Sequence, residues 1–246
     1  MHAQRTALVT GAAGGLGTAW VRKLVSEDYH VYLTARNIVK AEEAAINAGF
    51  ATTQVTPLGL DVTNEKHMEA AARIIGVQFG RLDILVNNAG YNAKDVGDDA
   101  VFQSSFNLDV LDPEEVLKSY RINSIGPVLM LKHFRSLLGA GKDKKAISIG
   151  SWLGSVTAKE RGGHYGYSGS KQALVMLNKA AALELTEDGI ASVVVNPGWV
   201  ATRMSGQKAP LQPVESVENM YNNVVVPMHD LEVGGFYNHD GEKHAL

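Results

Sequence analysis

The amino-acid sequence predicts an α/β protein built on a doubly wound parallel sheet of about seven strands with helices on both faces. Three observations carry this expectation. Short β-rich runs alternate along the chain with longer helix-periodic stretches, the pattern of repeated strand-helix-strand units. Most of those runs are apolar throughout, without the polar alternation of a strand that has one wet face, so both faces of the sheet are covered. The first run also passes directly into a glycine-rich turn and a helix. No Pro-rich, Gly/Ser-rich or like-charge linker divides the chain, so residues 1–246 read as one domain.

Taken in order, residues 6–10 (TALVT) form the first strand and lead into Gly11, Gly14, Gly15 and Gly17, followed by an apolar-periodic helix over 19–25. The second strand is 30–35 (HVYLTA), and a helix follows over 39–48. The third strand, 52–60, closes on Asp61 and Val62, and Asn64 is placed to cap a helix reaching residue 79. Residues 82–86 (LDILV) are a compact fourth strand ending in Asn87, Asn88, Ala89 and Gly90. Residues 91–112 are polar and carry aspartates at 95, 98, 99 and 109, which reads as a surface loop. The acids lack any metal-loop spacing, so no metal is expected. Pro113 opens a long helix to about residue 138, in which the amide of Asn123 needs a partner. The fifth strand, 145–149, leads to Gly150 and Ser151. A helix over 167–187, a sixth strand at 192–196 and a short last strand at 235–238 complete the series.

Composition describes an ordinary soluble globular chain: 45% hydrophobic, 20% charged, and 23 basic against 26 acidic residues for a net charge of −3. There is no basic excess to suggest a nucleic-acid partner. Zero cysteines exclude disulfides, thiolate zinc sites and cysteine nucleophiles. The chain enters a strand pattern almost at once, without a signal peptide, and no apolar run is long enough to span a membrane. The cytoplasm follows by default.

Chemistry concentrates in a few places. Glycines at 11, 15 and 17 between a strand and a helix let the backbone approach a pyrophosphate, which the free N–H groups of the helix N-terminus would bind. Arg36, at the end of the second strand, stands near where such folds contact the adenosine ribose. An acid there accepts hydrogen bonds from a 2′-hydroxyl, whereas an arginine pairs with a 2′-phosphate and points to NADP. Position alone leaves a solvated arginine opening the next helix as an equal alternative. Tyr167 and Lys171 stand four residues apart, on one face of a helix. A fixed positive charge beside a phenol favours its ionised form and suits it to exchange a proton with a substrate oxygen. The pair on its own is also what an unremarkable helix surface would carry.

Read together, these motifs make the chain resemble the short-chain dehydrogenase/reductase family from residue 6 to about residue 202. Thr10 to Gly17 resembles the family's cofactor loop, Asn87 to Gly90 its Asn-Asn-Ala-Gly signature, Ser151 with Gly154 its Ser-x-x-Gly, and Tyr167 with Lys171 its active-site pair. The stretches PGWVATRM and GGFYNHDG are similar to the short carbonyl reductases grouped with sniffer and C-factor proteins. The resemblance implies a Rossmann-like, dinucleotide-binding oxidoreductase that uses NADP(H) on a small carbonyl or alcohol. It places catalysis at Asn123, Ser151, Tyr167 and Lys171: Tyr167 as general acid/base, Lys171 lowering its pKa and holding the nicotinamide ribose. Ser151 would hydrogen-bond the substrate oxygen and Asn123 would order a relay water.

Cofactor contacts are implied at Thr10, Gly11, Gly14, Gly15, Leu16 and Gly17 around the phosphates, and at Arg36, Asp61 and Val62 around the adenosine. Asn88, Ala89 and Gly90, Tyr167 and Lys171, and Pro197, Gly198, Val200 and Thr202 complete the set. NADP-dependent relatives often carry a second basic residue where this chain has Gly14, so the NADP expectation rests mainly on Arg36. The loop between Ser151 and Tyr167 is a few residues longer than usual. Trp152, Leu153, Tyr165, Trp199 and Met204 are candidates for a substrate wall and suggest an apolar or aromatic substrate, although they suit core packing equally.

A homodimer or homotetramer is implied, with Val116, Tyr120, Leu131, Phe134, Val175, Leu177 and Leu183 as interface candidates. The rival reading is a non-catalytic NADP-binding redox sensor. Such a protein has no need of an intact acid and base, and the retention of Ser151, Tyr167 and Lys171 argues against it.

Overall fold

The computed structural model describes residues 4–202, 204 and 209–246; Arg203 of the PGWVATRM stretch lies outside the described residues. Seven strands form one parallel sheet: β1 (Arg5–Val9), β2 (Tyr29–Ala35), β3 (Val55–Gly59), β4 (Ile84–Asn87), β5 (Lys145–Ile149), β6 (Ala191–Asn196) and β7 (Phe236–Asn238). Their order is β3-β2-β1-β4-β5-β6-β7, with the chain reversing direction across the sheet between β3 and β4. Every residue of β2 is buried, His30 and Thr34 included, as the lack of polar alternation along it demands. Alternate side chains feed two cores. Ala7, Val9, Val31, Leu33 and Val86 meet Trp20, Val21 and Leu24 of α1 (Gly15–Ser26) on one face. Leu8, Tyr32 and Leu85 meet Met68 and Ile75 of α3 (Glu65–Phe79) and Met130 and Phe134 on the other.

Local sequence explains the helix ends. Asn37 Oδ1 accepts the N–H of Lys40 at 2.9 Å and starts α2 (Ile38–Asn47). The Asn64 side chain caps α3 in the same way at 3.1 Å, and Gly80 ends it in the left-handed region at φ 70°.

Three expectations need correction. Residues 91–112 are not a plain surface loop, because they contain α4 (Asp99–Phe106) between two short 3₁₀ turns. Asp98 accepts the N–H of Ala100 at 2.9 Å as the N-cap of α4, and Asp112 does the same for Glu114 at 2.9 Å to start α5 (Pro113–Tyr120). Asp98, one of the aspartates that made the segment look like a loop, is therefore a helix cap. Secondly, the helix opened by Pro113 is not continuous. A π turn, Arg121–Ile125, separates α5 from α6 (Gly126–Gly139), where Pro127 has no N–H to give the preceding turn. Thirdly, Leu131, Phe134 and Val175 are buried and cannot line an interface. The exposed apolar residues of these helices are Leu117, Ile125, Met176, Leu177 and Leu183.

The helix α7 (Tyr165–Leu185) begins two residues before the expected start and packs unusually close to its neighbours. A Cβ at Gly166 would lie 2.5 Å from Ser105 Oγ of α4, and one at Gly169 would lie 2.4 Å from the Tyr120 hydroxyl. A final helix, α8 (Pro213–Met220), was not foreseen from the sequence. Its Ser216 hydroxyl donates to the Pro197 carbonyl at 2.7 Å and so supports the loop after β6.

Candidate active site

The carboxyl ends of β1, β4, β5 and β6 bring the sequence motifs together, where open parallel sheets bind ligands. Thr10 locks the glycine loop to the end of β4. Its hydroxyl oxygen accepts the N–H groups of Asn88 and Ala89, each at 3.0 Å, and the Asn88 carboxamide donates to the Thr10 and Gly11 carbonyls at 2.9 and 3.0 Å. Asn88 thus acts here by holding the loop in place. A Cβ at Gly11 would lie 2.8 Å from Ala89 Cα, and one at Gly17 would lie 2.6 Å from the Gly11 carbonyl oxygen, so both positions require glycine.

Gly14 is different, with open space on its Cβ side. It precedes α1 without a side-chain cap, and the first turn of the helix, which includes Leu16, carries no acidic residue. Thr202 closes over this loop, 3.4 Å from where a Gly15 Cβ would stand. An open, uncapped helix start framed by obligatory glycines fits a dinucleotide pyrophosphate. Arg36 is exposed at the end of β2 and has no partner among the described residues. Asp61 holds the Thr63 hydroxyl and N–H, and Val62 is buried against Gly126, so both residues expected around the adenosine are tied into the turn after β3.

The four catalytic candidates converge. Asn123, in the π turn, is 1% exposed. Its Oδ1 accepts the Tyr91 N–H at 2.7 Å while its Nδ2 donates to the Tyr91 carbonyl at 2.8 Å and to Ser170 Oγ at 3.0 Å. A Cβ on Gly90 would be 3.6 Å from Asn123 Oδ1 and 3.9 Å from Lys171 Nζ, so both groups flank one point. Lys171 is buried and donates to the Ile149 carbonyl at 2.6 Å. Burial pushes its pKa down from 10.5 to about 8.

The Lys171 ammonium lies 5.8 Å from the centre of the Tyr167 ring. Tyr167 keeps part of its surface open to the cleft, yet enough protein surrounds the phenol that desolvation pushes its pKa up to about 12. A hydrogen bond with Ser151 works against that rise, and the Asp95 carboxylate adds to it. The lowering expected from Lys171 is not found: the ammonium donates to the Ile149 carbonyl, and burial dominates the phenol. Ser151 is buried at the end of β5 and accepts the Leu153 N–H at 3.2 Å.

Among the substrate-wall candidates, Trp152, Tyr165 and Trp199 are exposed, and Leu153 and Met204 are partly buried. Phe106 of α4 stands edge-on to His164 at 4.6 Å, and His164 holds a left-handed φ of 58° immediately before α7. No local signal in the sequence marks this aromatic contact, or Tyr91 and Ser170 as partners of Asn123. Among the described residues no three His, Cys, Asp or Glu side chains come together as a metal site, and no helix is long and apolar enough to cross a membrane.

The loop after β6 is equally defined. Gly198 takes φ 81°, with His239 filling the space of its missing Cβ, and Val200 bridges Leu211. The fold matches those of known proteins. Residues 5–212 match the short chain dehydrogenase family, and the chain belongs to that family of oxidoreductases. Among curated relatives it is 32% identical over 217 residues to short-chain dehydrogenase anuI of Penicillium roqueforti, covering 81% of this chain and 80% of the other. Among solved structures it is similar to the carbonyl reductase Sniffer of D. melanogaster, with a TM-score of 0.82, 27% identity and full coverage of both chains. The NADPH-bound carbonyl reductase from chicken fatty liver gives a TM-score of 0.82 at 26% identity over 99% of each chain.

Proposed function

We propose that this chain, acting as one domain, is an NADP(H)-dependent carbonyl reductase that interconverts a carbonyl and a secondary alcohol. The observation that carries the reading is the convergence of Ser151, Tyr167 and Lys171 beside an open, uncapped glycine loop. The cofactor, when bound, supplies a hydride to the carbonyl carbon and takes one back in oxidation. Ser151 hydrogen-bonds the substrate oxygen. Tyr167 gives that oxygen its proton in reduction and takes one back in oxidation, and desolvation keeps the phenol protonated at neutral pH. Lys171 holds the nicotinamide ribose and returns a proton to Tyr167, and Asn123 orders the relaying water beside Gly90. Trp152, Tyr165 and Trp199 would receive an apolar or aromatic substrate.

The direct test follows absorbance at the nicotinamide band with a panel of ketones and aldehydes. Turnover of at least one supports the reading, whereas tight NADPH binding without turnover would favour a redox sensor. Arg36 supplies the discrimination between cofactors. Arg36→Asp is expected to shift preference from NADPH toward NADH by roughly tenfold to a hundredfold, the loss of one charge-assisted phosphate contact. A wild-type protein that already prefers NADH in titration would refute the role of Arg36. The chain also assembles through α5 to α7, whose exposed face carries Leu117, Ile125, Met176, Leu177 and Leu183. Light scattering at micromolar concentration is expected to give a dimer or tetramer mass, and a monomer mass would exclude this interface.

A further inference from the structure

Asn196 is the last residue of β6 and is 7% exposed. Its Oδ1 accepts two main-chain N–H groups, from Trp152 at 3.2 Å and from Gly198 at 3.3 Å. Its Nδ2 donates to Asn238 Oδ1 at 2.9 Å. The two N–H groups can be served only by the oxygen, which fixes how the carboxamide is turned. One side chain thereby joins three segments that are distant in sequence: the turn after β5, the loop after β6 and the end of β7.

The residues next to these contacts give the tie its meaning. Trp152 directly follows Ser151, the proposed holder of the substrate oxygen. Gly198 belongs to the Pro197-Gly198 turn, one of the expected cofactor contacts, and holds a left-handed φ of 81°. Asn238 precedes His239, whose ring lies 2.8 Å from where a Gly198 Cβ would stand. Hydride transfer demands that donor and acceptor carbons be held in a narrow range of distance and angle, and a misplacement of about 1 Å costs about 10²-fold in rate. A group that fixes the substrate side against the cofactor side therefore acts on the chemical step.

We propose that Asn196 is a positioning residue that holds Ser151 in register with the Pro197-Gly198 turn. This rests on the reductase reading above for its catalytic consequence, though not for the tie itself. Asn196→Leu keeps the branched shape and the number of side-chain heavy atoms and removes the acceptor. Asn196→Asp keeps the oxygen that serves both N–H groups, and the Asn238 carboxamide can turn round to donate to its second oxygen.

The experiment compares wild type, Asn196→Leu and Asn196→Asp by amide hydrogen exchange and by steady-state kinetics. In Asn196→Leu, exchange is expected to accelerate at Trp152 and Gly198 together, with kcat down about 10- to 100-fold and KM for NADPH within about twofold. Asn196→Asp is expected to restore both protection and most of kcat. Should Asn196→Leu fail to fold, Asn196→Ser, too short to reach both N–H groups, replaces it in the comparison. Unchanged protection at Trp152 and Gly198 in the acceptor-free variant would overturn the tie. Equal kcat loss in the Leu and Asp variants, or none in Leu, would overturn the positioning role. A wild type without turnover on any carbonyl would sink the reductase reading, while the exchange data would still judge the tie.

Discussion

Replacing Tyr167 by Phe is expected to slow turnover by about 10² to 10⁴ while leaving the fold and cofactor affinity intact. The substitution removes one hydroxyl and almost no volume. It deletes the group that shares a hydrogen bond with Ser151 and that donates a proton in the proposed reaction. Tyr165→Phe is the control, since Tyr165 also borders the cleft, on the first turn of α7. Its fourth neighbour along the helix is Gly169, packed against Tyr120, so no ammonium stands beside it. Tyr165→Phe should keep its kcat and at most change KM for substrate. Retained activity in Tyr167→Phe with loss in Tyr165→Phe would reassign the proton donor.

A second large effect is expected at Lys171, in opposite directions for activity and stability. The buried ammonium holds its proton less tightly in the folded protein, at about 8, than in the unfolded chain, at 10.5. Below about 8 both states are protonated and folding bears the full cost of burying the charge. Between about 8 and 10.5 only the unfolded chain keeps the proton, so this contribution to stability improves as pH rises. The shift corresponds to roughly 3 kcal/mol, partly offset in a Lys171→Met variant by the lost hydrogen bond to Ile149, worth about 1 kcal/mol. Lys171→Met should therefore be inactive, bind NADPH weakly, and melt higher than wild type by several degrees, roughly 2–8 °C, at pH 7. Thermal melts across pH 7 to 10 check this. The advantage should shrink toward pH 10, and a variant that melts lower than wild type at all pH values would contradict the argument.

Most of this architecture was legible because its signals are local. β2 is buried on both faces and reads as a mostly apolar run without polar alternation, and the glycine loop is marked by Gly11 and Gly17, where no Cβ fits. Asn64 is a cap in sequence and in structure. What escaped reading depends on contacts between distant segments. Phe102 and Phe106 make α4 amphipathic and pack ring to ring at 5.0 Å, but neighbouring aspartates gave the segment the composition of a loop. The phenol of Tyr167 is controlled by burial because Lys171 is drawn to the carbonyl of Ile149, on a strand 22 residues earlier. Asn196 looked like an ordinary strand end, since nothing in its neighbours reveals three partners from elsewhere.

The π turn at Arg121–Ile125 can be seen as a change of phase along one rod. A single α-helix through this region would commit both halves to one set of faces, each residue advancing about 100° from the last. The wider turn accommodates roughly one extra residue and resets that count. Upstream, α5 turns Ser119 and Tyr120 toward Gly166 and Gly169 of α7. Downstream, α6 turns Met130, Leu131, Phe134 and Leu138 toward the sheet. Asn123 sits at the joint and meets Tyr91. The two halves can therefore diversify separately: substitutions that reshape the flank of α7 need no matching change in the side chains that fill the core.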